Sequence, residues 1–550
     1  MDEDAEEEEN TESIAQLRGF DFFAGSIPIG KLYRVQLPDL FFDCSEVDLE
    51  EIRTLVDKEA VSSIVPDLAG EEEKLFRLTG VMNKLSSGEG LVNPALSEVM
   101  FSVQKAMPIT NLASEYPVYY QRIKENLINK RINDSQIEAI IKTLLAKDIS
   151  IIQGPPGTGK STAIAEMIWQ HIALNGAEKI LVTSETNIAV DNALSKILNS
   201  HNNIVKPIRI GDTDSMESEG SQFALSTLNQ WVEQTTTSKV SDDSDSEDND
   251  DKSDDVVLQN WLNNICRRSQ ERGELPQELA ARWSHFLEDP DYSLRRIAYK
   301  AYVGNCNVIG ATCSSIGENN RKGRPTSFFK QYKDVFPKDK QILFDVVLQD
   351  ESSKATPAEL SLPLIYGKKN ILIGDHRQLP PMIDKDEFIM SMDVLESDAK
   401  GAKQKTKITE LRRFIEKHFG EMERSHFERL FLGADPSIRG TFNTQYRMHP
   451  DINDVIKQFY VEDGGLECGL PESQVNDPDM TNPMSRYHGI KVPGLIDEDT
   501  HVLWIDSDSP ELKSGTSRVN YGEIDIIGKI LESLSKSPSY AEYLQKWESP

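Results

Sequence analysis

Eight consecutive residues, Gly154-Pro155-Pro156-Gly157-Thr158-Gly159-Lys160-Ser161, constrain this chain more than any other stretch of it. They fit the pattern G-x-x-x-x-G-K-[ST]. The apolar run Asp148–Gln153 before them predicts a strand, and Lys160–Ala173 after them predicts a helix ending near Gly176. Glycines let the backbone curl until successive N–H groups aim at one anion, and the helix start adds the positive end of its dipole. In such a loop the backbone cradles phosphates, Lys160 reaches the β- and γ-phosphates, and the Ser161 hydroxyl ligates Mg²⁺. A chance match in a chain of 550 residues is about one in a hundred, so a nucleotide site outweighs a bare Gly/Pro turn.

The rest of the central region repeats the alternation. Lys179–Thr183, Asn203–Ile210, Asn307–Ala311, Asp345–Leu348, Asn370–Ile373 and, further along, Val502–Ile505 read as strands, and Ile188–Leu198 and the stretch around Asn520–Leu534 as helices. Strands alternating with helices imply β-α-β units and a parallel sheet, and their near-continuous β-branched runs fit strands covered on both faces. The fold class is α/β. The boundaries fall as a disordered acidic start at 1–15, an accessory domain at 16–130, and a first nucleotide-binding domain at 131–211 and 305–435. An insertion occupies 212–304, and a second domain begins at 436–550. Within the insertion, Val257, Leu258, Trp261, Leu262 and Ile265 form one apolar stripe, and Leu279, Trp283, Phe286 and Leu287 a second; both read as packing faces. Arg267, Arg268, Arg272, Arg282, Arg295 and Arg296 read as solvated helix faces, with a basic path as the alternative. No internal repeat is evident.

At roughly 100–200 residues per domain the length predicts three to five domains. The chain carries 60 basic and 91 acidic residues, a net charge of −31. Residues 2–9 and 242–255 hold about half of that excess and read as solvated, disordered runs. Net charge therefore argues only weakly against a nucleic-acid partner. No apolar run approaches the ~20 residues a bilayer crossing needs, and the Met-Asp-Glu-Asp start lacks a signal peptide's basic and apolar parts. Membrane insertion and secretion are not expected. Five scattered cysteines (Cys44, Cys266, Cys306, Cys313, Cys468) without a C-x-x-C pair give no disulfide framework or zinc knuckle, and fit the reducing cytoplasm or nucleus.

Phosphoryl transfer to water also needs a metal carboxylate and a group that handles the attacking water. Asp350-Glu351 follows the run Val346-Val347-Leu348, at the end of a strand where open α/β sheets place their ligands. Asp350 is expected to hold Mg²⁺, directly or through water, and Glu351 to orient and deprotonate the nucleophile. The strand Asn370–Ile373 ends in Gly374-Asp375-His376-Arg377-Gln378-Leu379-Pro380-Pro381, where Gln378 has the donor and acceptor to sense a γ-phosphate or its water. His376 has no second histidine at ligand spacing and reads as a surface residue.

In this order the segments resemble the superfamily 1 helicases, in the branch that contains the nonsense-mediated-decay and senataxin helicases. Asn133-Asp134-Ser135-Gln136 resembles the family's adenine-reading motif, with Gln136 as the reader. Thr183-Ser184-Glu185-Thr186-Asn187-Ile188-Ala189-Val190-Asp191 resembles motif Ia, which touches the nucleic-acid backbone, here through Thr186 and Asn187. Gly310-Ala311-Thr312-Cys313 resembles a second strand-contacting motif, with Thr312 at the contacting position, and Gly374–Pro381 is similar to motif III. Phe442-Asn443-Thr444-Gln445-Tyr446-Arg447-Met448-His449-Pro450 is similar to the Q-Y-R-M-H-P motif that opens the second RecA-like domain, and by that likeness Arg447 reaches the γ-phosphate. The similarity covers residues ~130–530.

The resemblance implies a P-loop NTPase with RecA-like parallel sheets and helices on both faces. It implies ATP and Mg²⁺ as cofactors, and hydrolysis that drives 5′→3′ movement along single-stranded RNA or DNA. Two positions depart from the pattern: Glu185 stands where proline is usual, and Ser352-Ser353-Lys354 replace Ala-x-Gln after the acid pair. The family's glutamine-glycine-glutamate motif and arginine-finger segment do not occur before Pro550, from which a longer parent protein is expected. Two rival readings stay open. One is an ATP- and nucleic-acid-binding fragment or scaffold with little turnover. The other is a P-loop ATPase of another class, which would lack the Q-Y-R-M-H-P lobe.

Overall fold

The computed structural model describes residues 21–24, 27–36, 39–43, 64–66, 69–176, 179–198, 204–211, 213, 216–233, 256–273, 276–288, 290–381, 385–399, 401–479, 481–514 and 517–548. The acidic start, the acidic run 242–255 and Cys44 lie outside these residues, as do the side chains of Phe286 and Leu287. The chain divides into two compact units. Residues 1–80 with 319–325 form one, and residues 81–318 with 326–550 the other.

The first unit contains a four-stranded antiparallel sheet in the order β3-β2-β1-β4, from β1 (Asp21–Ala24), β2 (Ile27–Gln36), β3 (Asp39–Asp43) and β4 (Ile64–Pro66). Phe22 and Leu32 are buried, with Phe22 edge-on to Phe42 at 5.3 Å. No clean periodicity is visible in this region of the sequence, and the pairing shows why. The register shifts between Phe22 and Phe23 and again between Leu32 and Arg34, and each shift breaks the two-residue alternation that marks a strand.

The second unit is built on a seven-stranded sheet flanked by helices, the RecA-like P-loop α/β fold. Its strands are β5 (Ile149–Gln153), β6 (Ile180–Ser184), β7 (Pro207–Arg209), β8 (Val308–Thr312), β9 (Phe344–Gln349), β10 (Gly367–Gly374) and β11 (Arg439–Thr441), in the order β11-β5-β10-β9-β6-β8-β7. Every pairing is parallel. All five residues of β5 and of β6 are buried, as both faces of a parallel sheet require when helices cover them. Helix Asp134–Leu145 packs on β5 and β11, Asn187–Leu198 on β6 and β8, and Pro357–Leu364 on β9 and β10.

Three expectations change. Within the described part of the Asn203–Ile210 run only Pro207–Arg209 is strand; it pairs with β8 on one side, and on the other Arg209 bridges Ala224 and donates its N–H to the Phe223 carbonyl at 2.9 Å. Val502–Ile505, an apolar run that reads as a strand, is not one. Among the described residues it has no strand partner, and Trp504 is 89 % exposed. The first sheet also takes in Arg439–Thr441, beside β5, so the α/β lobe reaches past residue 435. Beyond it come a short parallel pair (Thr444–Gln445 with Glu467–Cys468), a hairpin (Leu512–Ser514 with Ser517–Val519) and helices Tyr521–Ser535 and Pro538–Glu548.

The insertion leaves after β7 and returns at β8. In helix Val256–Glu271, Val257 and Leu258 are buried and Trp261 meets Tyr302 edge-on at 5.5 Å. In helix Gln277–Glu288, Leu279 and Trp283 stay nearly half exposed, so that stripe is only partly used for packing. Arg295 is not a solvated arginine: it is buried, donates to the carbonyl of Pro290 at 2.7 Å and lies over the Trp231 ring.

Helix Asn187–Leu198 is tied to the sheet rim by a fully buried ion pair, Arg209 Nε to Asp191 Oδ1 at 2.7 Å. Arg209 also donates to the carbonyl of Ile210 and to Asn187 Oδ1, while Asp191 Oδ2 accepts from the Glu217 N–H. Breaking a buried pair leaves an uncompensated charge. Asp191→Ala is therefore expected to lower stability by about 3–5 kcal/mol, read as a shift of the urea midpoint at unchanged slope. A shift worth less than about 1 kcal/mol would show that the pair contributes little net stability.

Candidate active site

The loop between β5 and helix Lys160–Asn175 has the shape its sequence requires. Gly157 and Gly159 both sit at φ 75°, a left-handed conformation that side chains resist. A Cβ on Gly157 would come within 2.7 Å of Arg447 Cβ, so the loop fits closely under the Q-Y-R-M-H-P segment. The Tyr446 N–H donates to the Gly157 carbonyl at 3.0 Å. Lys160 Nζ donates to the Gly154 carbonyl at 2.8 Å and Thr158 Oγ1 to that of Pro155 at 2.7 Å. Pro156 and Ser161 are only partly covered, and Ser161 lies in the first turn of the helix.

Gln136 lies against this loop. Asn133 and Gln136 form a reciprocal cap on helix Asp134–Leu145, with the Gln136 N–H donating to Asn133 Oδ1 and the Asn133 N–H to Gln136 Oε1. The other end of the amide, Nε2, donates to the Thr158 carbonyl at 2.8 Å. Gln136 is thus a buried brace of the phosphate loop, with one donor and one acceptor site still in hand.

β9 carries the acid pair to the same edge of the sheet. Asp350 is buried, and its N–H donates to the Thr183 carbonyl at 2.9 Å. Burial pushes its carboxyl above the ordinary range, while the Lys160 ammonium draws it back down, so those two charges sense each other. Asp350 Oδ1 accepts from the Glu351 N–H at 2.8 Å. Glu351, at φ 53°, is the one non-glycine in the left-handed region among the described residues. Its Oε1 lies 3.3 Å from Lys354 Nζ, and its Oε2 accepts from Thr186 Oγ1 at 3.5 Å.

Asp375 is the hub of the motif III loop. Its Oδ1 accepts from Gln153 Nε2 at 2.7 Å, and its Oδ2 from Gln378 Nε2 and from the Tyr460 hydroxyl, both at 2.8 Å. Its N–H donates to Ser353 Oγ at 3.1 Å, which joins the loop to the acid-pair turn. Because an ionised carboxylate only accepts, the nitrogen end of the Gln378 amide faces Asp375 and the carbonyl end faces away. Arg377 bonds Asp463 at 2.6 Å and Glu462 at 3.1 Å. His376 is not at the surface. Its side chain is buried, with Nδ1 2.9 Å from Gln153 Oε1 and the ring 5.1 Å from that of Phe431. Its Nε2 lies 3.3 Å from Asp463 but is without hydrogen-bond geometry, and burial lowers its pKa below the usual value.

The remaining candidates line the ends of β6 and β8, where Ser184 is paired with Thr312. Thr186 points at Glu351 as described. Asn187 Oδ1 is occupied by Arg209 Nη2 at 2.6 Å. Thr312 is half-buried, and its carbonyl accepts from Ser315 Oγ. Glu185, the acid in place of proline, has turned toward Cys313, whose buried thiol is pushed well up by burial first and by Glu185 next. The Thr183 hydroxyl lies 3.3 Å from the same sulfur.

Phosphate loop, acid pair, Thr186 and Arg447 therefore converge, and Gln378 joins them through Asp375 and Gln153. Reading the sequence missed Gln153, Asp375, Tyr460 and Asp463. A glutamine inside a buried strand just before the phosphate loop was a usable signal; nothing local marks Tyr460 or Asp463.

Two AAA-domain family models match the chain, over residues 131–386 and 422–543. Among its relatives, a regulator of nonsense transcripts 1 homolog of Neurospora crassa is 26 % identical over 408 residues, 74 % of this chain and 29 % of that protein. An uncharacterized ATP-dependent helicase of Methanocaldococcus jannaschii is 26 % identical over 357 residues, 60 % of this chain and 50 % of that protein. The DNA polymerase alpha-associated DNA helicase A of Schizosaccharomyces pombe is 25 % identical over 325 residues, 59 % of this chain and 38 % of its own length. The aligned part thus spans half or less of each relative. Tandem AAA matches, with the phosphate loop seated under the Q-Y-R-M-H-P segment, lead to one conclusion: the chain belongs to the superfamily 1 helicases of the nonsense-mediated-decay and senataxin type.

Proposed function

We propose that the protein hydrolyses ATP to move along, or unwind, single-stranded RNA or DNA. One observation carries this reading: the loop at 154–161 is faced both by the acid-pair turn of its own sheet and by the Gln445–Met448 segment, whose backbone bonds Gly157. A nucleotide held there touches two parts of the chain at once, so loss of its γ-phosphate is felt by both. The names of the relatives favour an enzyme over a binding-only scaffold.

Within this reading the backbone of Gly154, Pro155, Pro156, Gly157, Thr158 and Gly159 wraps the phosphates, and Lys160 neutralises the β- and γ-groups. Gln136 uses its spare amide capacity on the adenine. Ser161 and Asp350 offer hydroxyl and carboxylate oxygens, the hard donors Mg²⁺ takes, and the buried, destabilised Asp350 carboxylate gains from a cation. Bound there, the ion would draw charge from the phosphates. Glu351 takes the proton of the attacking water, the outward carbonyl of Gln378 orients that water, and Arg447 answers the γ-phosphate. Thr186, Asn187 and Thr312 face strand phosphates. Grip of this kind is salt-sensitive and nearly sequence-blind. We place its work in the cytoplasm or nucleus.

The test is ATP turnover of the protein with single-stranded RNA and single-stranded DNA, side by side. Turnover that rises at least roughly tenfold with one or both strands is the expected result. Turnover indifferent to either strand would sink the reading.

A further inference from the structure

The base assigned to the attacking water is already engaged. One oxygen of Glu351 faces the Lys354 ammonium at 3.3 Å and the other accepts from the Thr186 hydroxyl at 3.5 Å. Both partners are groups that bind phosphates, and Thr186 stands on the loop assigned to the strand backbone. Lys354 sits three residues along the same turn, its N–H donating to the Glu351 carbonyl at 3.1 Å, with about half of its side chain in solvent. An ion pair this exposed is weak and easily exchanged. A polynucleotide is a strong competitor for it, because each lysine it captures releases condensed counterions. The backbone of Glu351 adds a bias of its own: a non-glycine at φ 53° is held by its surroundings and moves readily when they change.

We propose that Lys354 is a positioning residue that parks Glu351 until a strand phosphate takes the lysine's charge. Without a strand, Lys354 and Thr186 hold the carboxylate away from the water. With a strand, a backbone phosphate draws the ammonium and the hydroxyl, and Glu351 turns to the nucleophile. Strand binding and ATP cleavage are thereby linked at one side chain. This rests on the reading of Glu351 as the base.

The experiment compares wild type, Lys354→Gln and Lys354→Arg for ATP turnover without strand and at saturating single strand, with strand affinity measured across salt. Lys354→Gln is expected to raise strand-free turnover roughly three- to tenfold with less than about a twofold change at saturation. The salt slope of strand affinity should shrink by about 0.7, one phosphate contact. Lys354→Arg should keep both the stimulation ratio and the slope. Equal stimulation ratios in wild type and Lys354→Gln would overturn the proposal, as would a fall in turnover of the same factor with and without strand. Failure of the functional reading looks different: wild type itself would show no strand response.

Discussion

Exchanging Glu351 for glutamine is expected to cut strand-stimulated ATP turnover by about 10²–10⁴-fold while leaving nucleotide affinity within about twofold. The amide has the same shape as the carboxylate and still accepts from Thr186, so the turn has no reason to unfold. What it lacks is a place for a proton. The neighbouring acid cannot substitute, because Asp350 is buried and its Oδ1 already accepts from the Glu351 N–H. Single-turnover hydrolysis together with titration of a fluorescent ATP analogue separates the two effects. Turnover within tenfold of wild type would remove Glu351 from the mechanism.

Lys160→Ala is the second large effect. Its ammonium now rests on the Gly154 carbonyl, a bond that a phosphate can replace and whose loss costs the fold little. Phosphate contacts are another matter: removing a preorganised positive group from a developing charge costs about 10²–10³-fold in turnover. Nucleotide affinity falls with it, in contrast to Glu351→Gln. Alanine also takes away the charge that draws the Asp350 carboxyl down, so that carboxyl rises further. Turnover and nucleotide titration of the variant, with its melting temperature as control, test this. A correctly folded Lys160→Ala protein that still hydrolyses ATP normally would overturn the assignment of the phosphate site.

How much of this was legible beforehand depended on distance along the chain. The phosphate loop and acid pair each lie within a few residues, and each follows a strand whose burial is written in its β-branched run, so chemistry and location could be read together. The Asp375 hub could not. Its hydroxyl donor, Tyr460, is 85 residues away, and no local pattern announces that the two meet. The same distance hides the burial of His376, since Asp463 and Phe431 enclose it from afar. Val502–Ile505 failed in the opposite direction: the run has a strand's composition, but composition does not supply a neighbour to bond with. Gln136 shows a third case: the motif marks the residue, and the structure adds a packing task that no local pattern announces, bracing Thr158.

The long excursion at 210–307 departs from and returns to the two outermost strands on one side of the sheet, with β6, β9, β10 and β5 lying inward of them. Strands at a rim part from their loops without wedging any inner pair open, so this margin is where a lineage of such proteins has freedom to lengthen, shorten or exchange a module. Specialisation can accumulate there at the pace of a surface loop while the phosphate-handling centre stays under the slow discipline of a buried sheet.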